Sequence, residues 1–256
     1  MTQRSRRGKL TLSIDVGSTH VKAHCLDARG NPLVEHVSVD TPQALTPTKL
    51  VTLIHRVADA LPKCDRVSIG VPGIVHGGKT YSVPVLGDRR FHGFPLADRL
   101  EARLSLPVRV MNDGEMHGLG VIRRKGVELV LTFGTGLGTA LYLDGELGPR
   151  IQFVSSPHKS LPIGGAYGDA ALKRIGKTKW NRRVHSVITM LRHITNFDHC
   201  YVGGGNARLI KGPLPRHVTS TDNSAAALGG VRLWEWDSDL YPRTPTGGAK
   251  RRRKEL

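Results

Sequence analysis

Residues 10–27, LTLSIDVGSTHVKAHCLD, decide how the rest of the chain is read. Residues 10–15 and 20–27 read as strands, and the glycine turn Val16-Gly17-Ser18-Thr19 joins them. A glycine in such a turn lets backbone N–H groups approach a phosphate. The hydroxyls of Ser18 and Thr19 add donors, and the carboxylate of Asp15 can hold a hydrated Mg²⁺. Taken alone, the same residues also suit an ordinary hairpin.

Outward from this hairpin, residues 32–40 read as a third strand and residues 47–61 as a helix, with Leu50, Leu53, Ile54, Val57 and Leu61 at helical spacing after Thr46-Pro47. A buried strand at 66–71, a long Gly/Pro loop, a short helix near 95–104, a strand at 107–111 and a helix from Asp113 complete a βββαβαβα order. The second half starts the same order again. Runs 128–133 and 138–144 form a hairpin around Gly134-Thr135-Gly136-Leu137, followed by helices near 167–176 and 180–195. A strand at 199–202 ends in Gly203-Gly204-Gly205-Asn206, and a strand near 217–220 precedes a helix at 223–234. Gly134-Thr135-Gly136-Leu137-Gly138 joins two strands instead of opening a crossover helix, and no GKS/T follows, so neither a dinucleotide fingerprint nor a P-loop is present. Two glycine hairpins at equivalent positions of two half-repeats favour a phosphate-binding role over coincidence.

Asn112-Asp113 stands where a strand gives way to a helix. An N-cap aspartate is one reading. The other is a general base that takes the proton of an attacking hydroxyl while loops and Mg²⁺ neutralise a phosphate.

Composition excludes several classes. The chain has 256 residues, 39% hydrophobic and 23% charged, which suits a globular protein and excludes wholesale disorder. No apolar run is long enough to span a bilayer, so a cytoplasmic protein is expected. Cys25, Cys64 and Cys200 have no metal-ligand spacing and read as reduced thiols. About half of the +17 charge lies in the two ends, and the remainder would attract a polyanion. The run Lys173, Arg174, Lys177, Lys179, Arg182 and Arg183 is either a solvated helical face or a track for a phosphate chain.

The segments DVGSTHVKA, GVPGIV, RFHGFPLADRL, VMNDGEMHGLG, LTFGTGLGTAL, GDAALKRIGKTKWNRRV and YVGGGNARLI, in this order over about residues 10–234, resemble the sugar kinases of the ROK family, and within it the polyphosphate glucokinase branch. The resemblance implies an α/β, two-lobed actin-like ATPase/sugar kinase (ribonuclease H-like) fold. Residues 8–112 would form one lobe, completed by the C-terminal helix 223–236, and 113–222 the other, with 1–7 and 237–256 as basic flexible tails. It also implies a homodimer and transfer of a phosphoryl group from polyphosphate or ATP to the 6-hydroxyl of glucose or a related hexose, with Mg²⁺ held through water by Asp15 and without zinc. Asp113 would be the base. Gly73, Asn112 and Asp113 would contact sugar; Asp15, Gly17, Ser18, Thr19, Lys22, Gly134, Thr135, Gly136, Gly203, Gly204, Gly205 and Asn206 would contact the donor. Where the family usually has a Glu and, three residues on, a His against the sugar hydroxyls, this chain has Gln152 and Ser155. That departure raises a rival expectation, a sugar- or nucleotide-binding protein of the same fold with weak or no catalysis. A DNA-binding repressor is not expected, because the nine residues before the first strand are too few for a helix-turn-helix domain, and neither specific nucleic acid nor membrane is an expected partner.

Overall fold

The computed structural model describes residues 8–87, 89–150, 164–222 and 224–236; the basic ends 1–7 and 237–256 lie outside them. β1 (Thr11–Val16) is buried along almost its whole length, as suits a strand covered on both faces. It pairs antiparallel with β2 (His20–Leu26), which pairs antiparallel with β3 (Val37–Asp40). The third strand is shorter than the expected 32–40. Pro32 has no N–H to give to a ladder, and makes only an isolated bridge with Leu26.

α1 (Pro47–Asp59) starts where Thr46 Oγ1 accepts a hydrogen bond from Lys49 N at 3.2 Å, with Pro47 in the first turn, where its missing N–H costs nothing. Its buried stripe is Leu50, Leu53, Ile54 and Val57. β4 (Arg66–Val71) then runs parallel to β1. In place of the expected loop, β5 (Ile74–His76) and β6 (Lys79–Ser82) form a small hairpin. Gly77 and Gly78 at its turn both have positive φ, 56° and 75°, as a tight hairpin turn requires. α2 (Leu96–Leu104), β7 (Val108–Asn112) and α3 (Asp113–Val121) follow, and the first sheet has the order β3-β2-β1-β4-β7.

The second sheet opens with β8 (Val127–Phe133), β9 (Leu137–Leu143) and the short β10 (Glu146–Leu147). α4 (Asp169–Thr195) covers both expected helices, with a break at Gly176 (φ 76°, ψ 161°) that marks their junction. β11 (His199–Gly203) and β12 (Val218–Ser220) complete the order β10-β9-β8-β11-β12. The second copy is abbreviated. Between β11 and β12 a full helix is replaced by one 3₁₀ turn at Ala207–Leu209, because Pro213 and Pro215 cannot continue a helical ladder.

α5 (Ser224–Arg232) returns to the first sheet, where Ser68 Oγ donates to Gly230 O at 2.6 Å. It crosses α3 at backbone contact. A Cβ on Gly120 would lie 1.9 Å from Ala225 O, and one on Gly229 would lie 1.7 Å from Met116 O. Since the obstacle is backbone on both sides, Gly229→Ala is expected to destabilise the protein by about 1–3 kcal/mol, read as a lower urea midpoint.

Candidate active site

The two glycine hairpins meet across a cleft of about 530 Å³. In the first, Gly17 N donates to His20 O at 2.9 Å, and the turn is tied to the following chain by Thr41, whose Oγ1 donates to Gly17 O at 2.8 Å. In the second, Gly134 O accepts from Asp169 N at 3.0 Å and from Asn206 Nδ2 at 3.2 Å. The tips touch through Ser18 Oγ and Thr135 Oγ1, 2.5 Å apart. Gly168 must be glycine for this packing, since a Cβ there would lie 1.9 Å from Thr135 O.

Asp15 sits on β1 just before the first turn, opposite Lys22 of β2. Asp113 sits at the start of α3. The helix is capped by Asn112, not Asp113: Asn112 Oδ1 accepts from Glu115 N at 3.1 Å, and its Nδ2 donates to Gly73 O at 2.9 Å. This removes the N-cap reading of Asp113, whose Oδ1 accepts a local bond from Gly114 N at 2.9 Å. Burial pushes the Asp15 carboxyl up to about 7, with the Asp113 charge adding to the rise and Lys22 opposing it. Burial also raises Asp113, against bonds from the backbone at Gly114. Two buried carboxylates, with the charge of Asp113 disfavouring that of Asp15, in a cleft between two glycine turns, invite a cation. The described residues hold no cluster of three or more His, Cys, Asp or Glu side chains suited to a metal. This donor set fits Mg²⁺, which usually takes one or two carboxylates and completes its shell with water and phosphate oxygens.

Of the residues singled out in the sequence, Asp15, Gly17, Ser18, Thr19, Lys22, Gly73, Asn112, Asp113, Gly134, Thr135, Gly136, Gly204, Gly205 and Asn206 line the cleft together. Gly203 does not line it. It packs beneath, where a Cβ would lie 2.4 Å from His117 Nε2. Asn206 is also a brace, since its Nδ2 donates to Asp169 Oδ1 at 2.6 Å as well as to the second hairpin. Gln152 and Ser155 lie outside the described residues. The α4 cations, from Lys173 to Arg183, are not among the cleft-lining side chains; among the described residues, the long cations that line it are Lys22 and Arg208.

Several lining residues escaped the sequence reading. His117 stands one turn after Asp113 on α3, its Nε2 3.0 Å from Thr221 Oγ1, and burial pushes its pKa down to about 4 against the pull of Asp222. The i, i+4 spacing from Asp113 was the available signal. Asp169 was visible only as a residue within the helix expected near 167–176. Ser13 and His24 face each other across β1 and β2, a pairing that only the register reveals.

Among the described residues, no helix is long and apolar enough to cross a membrane. The chain is 28% identical over 228 residues to the polyphosphate glucokinase of Mycobacterium leprae (strain TN), covering 84% of this chain and 69% of that protein. Over 151 residues it is 31% identical to the glucokinase of Streptomyces coelicolor, covering 54% of this chain and 45% of that protein. In solved structures, it resembles the inorganic polyphosphate/ATP-glucomannokinase of Arthrobacter sp. strain KM with a TM-score of 0.79 at 24% identity, over 90% of this chain and 100% of that one. A ROK family glucokinase from Streptomyces griseus, solved with glucose and AMPPNP, gives a TM-score of 0.68 at 20% identity over 88% of this chain and 98% of that one. These likenesses establish the two-lobed actin-like fold expected from the sequence. The ROK family model itself matches residues 11–149, which is more than half of the 256, and the chain therefore belongs to the ROK family.

Proposed function

We propose that the chain is a sugar kinase that transfers a phosphoryl group from polyphosphate or ATP to the 6-hydroxyl of glucose or a related hexose. The observation that carries this reading is the placement of Asp113, free of capping duty, in a cleft whose walls are two phosphate-type hairpins. Its raised pKa brings the carboxylate closer to the working pH of a general base. The sugar would lie against Gly73, Asn112 and Asp113, and the terminal phosphate of the donor between residues 17–19 and 134–136. Asp113 takes the hydroxyl proton as the sugar oxygen bonds to phosphorus, and the bond from phosphorus to the bridging oxygen of the donor breaks. The products are the sugar phosphate and a shortened polyphosphate or ADP. Mg²⁺, when bound, supplies charge neutralisation at the phosphate oxygens, and Asp15 would hold it through water.

Gly73 supports the sugar end by backbone geometry. Its φ of 125° is open to glycine, and a Cβ would lie 2.0 Å from Ser82 O. Within this reading, residues 8–112 with α5 form the lobe of the first hairpin and 113–222 the lobe of the second. A coupled assay for glucose 6-phosphate, run with ATP and separately with polyphosphate, tests the proposal. Product with neither donor would overturn it in favour of a non-catalytic binding protein, the reading that Gln152 and Ser155 favour. Restoring the family's residues with Gln152→Glu and Ser155→His is expected to lower the glucose KM about tenfold, because a charge-assisted bond to a hydroxyl is stronger than a neutral one. An unchanged KM in that double variant would remove both positions from the sugar site.

A further inference from the structure

The cleft continues beyond the place assigned to the transferred phosphate. Ladder register pairs Asp15 with Lys22 and Ser13 with His24, and all four residues line the cleft, with Ala226 and Ala227 of α5 beside them. The face therefore runs from Asp15 along β2, carrying Lys22 and then His24. His36, just before β3, stacks on the His24 ring with centroids 5.0 Å apart and planes 19° from parallel. Burial lowers the proton affinity of His24, with His36 and Lys22 beside it adding to the lowering, and an anion bound there would offset both. Ser13 Oγ is buried here and has no hydrogen-bond partner among the described residues. The N-terminus of α5 is already occupied by its own cap, since Asp222 Oδ1 accepts from Ser224 N at 2.8 Å.

We propose that Lys22, His24 and the His36 stacked on it form a second phosphate subsite, which takes the distal phosphates of a linear inorganic phosphate chain. The inference rests on the donor assignment made above and deepens it. Positions 22 and 24 are roughly 7 Å apart along the strand, a span that a short phosphate chain covers and a single orthophosphate does not. No cation of α4 reaches the cleft, so this strand face replaces the basic helix as the donor track.

Inorganic tripolyphosphate titrated into the full chain by calorimetry tests the subsite without any turnover. His24→Ala is expected to weaken binding at least fivefold. His36→Ala, on an exposed ring that folding does not need, should weaken it about twofold. On the wild type, tripolyphosphate should shift the His24 imidazole resonances and raise its pKa, and orthophosphate at equal concentration should do neither. Unchanged affinity in both variants, or still His24 resonances, would overturn the subsite, and equal effects from orthophosphate would overturn its extension along a chain. A protein that binds tripolyphosphate through His24 but phosphorylates no sugar keeps the subsite and loses the kinase reading. One that phosphorylates glucose from polyphosphate with affinity blind to His24 and His36 does the reverse.

Discussion

Asp113→Asn is expected to fold normally and to lose about 10²–10⁴-fold in kcat, the usual worth of a positioned general base. Folding survives because Asn112, not Asp113, caps α3, and because the amide oxygen of the new side chain can still accept from Gly114 N. The substitution also removes a charge that burial disfavours, so thermal stability should be no lower than that of the wild type. The sugar KM should move little, since an amide keeps hydrogen bonding to a hydroxyl but cannot take its proton. The decisive measurement is turnover at saturating glucose with each donor, next to melting curves of both proteins. Wild-type turnover in the variant would remove Asp113 from the chemistry, and a parallel loss of Tm would mark it as structural.

The parts of the site that were legible in sequence are those set by local chemistry. The hairpins were legible because two glycine turns recur at equivalent positions of two half-repeats, though each alone also suits an ordinary hairpin, and α1 because Thr46-Pro47 precedes a clean helical stripe. Contacts between distant segments were not legible. The Ser18–Thr135 contact joins residues 117 apart, and nothing local marks it. The role of Asn112 as cap became clear only once the Asn112 side chain was seen to hold Glu115 N and Gly73 O together. Cysteine spacing gave no pairing, yet Cys25 and Cys64 lie with their sulfurs 2.9 Å apart as free thiols, since a strand and the loop after α1 meet there. The basic run on α4 stayed open between a solvated face and a phosphate track, because charge in sequence has sign but no direction. The face of α4 that packs on the second sheet carries Trp180, Val184, Val187 and Ile188, and its cations stay outside the cleft.

Asp15→Asn is expected to abolish most activity and to stabilise the ligand-free protein above neutral pH. The carboxyl of Asp15 has an ordinary value of 3.8 and is raised to about 7 in the folded chain, so the folded state holds its proton more tightly than the unfolded state does. Its contribution to stability is therefore fully present below 3.8, declines as pH rises toward 7, and is level above that. With water reaching the carboxylate through the cleft, the loss comes to about 1–2 kcal/mol. Other groups overlap this window. Glu115, raised to about 6 by burial against the pull of Arg150, adds a decline of the same sign. His117, lowered to about 4, contributes the opposite sign, because its unfolded form takes up a proton below 6.5 that the folded form refuses. The observable is thus the difference between wild-type and Asp15→Asn unfolding free energies, measured by urea at intervals from pH 5 to 8.5 without Mg²⁺. The variant should gain on the wild type up to about pH 7 and keep a constant lead beyond it. A difference that stays flat with pH would mean that the Asp15 carboxyl is ionised throughout, and burial in the cleft would then impose no cost on its charge for a cation to relieve.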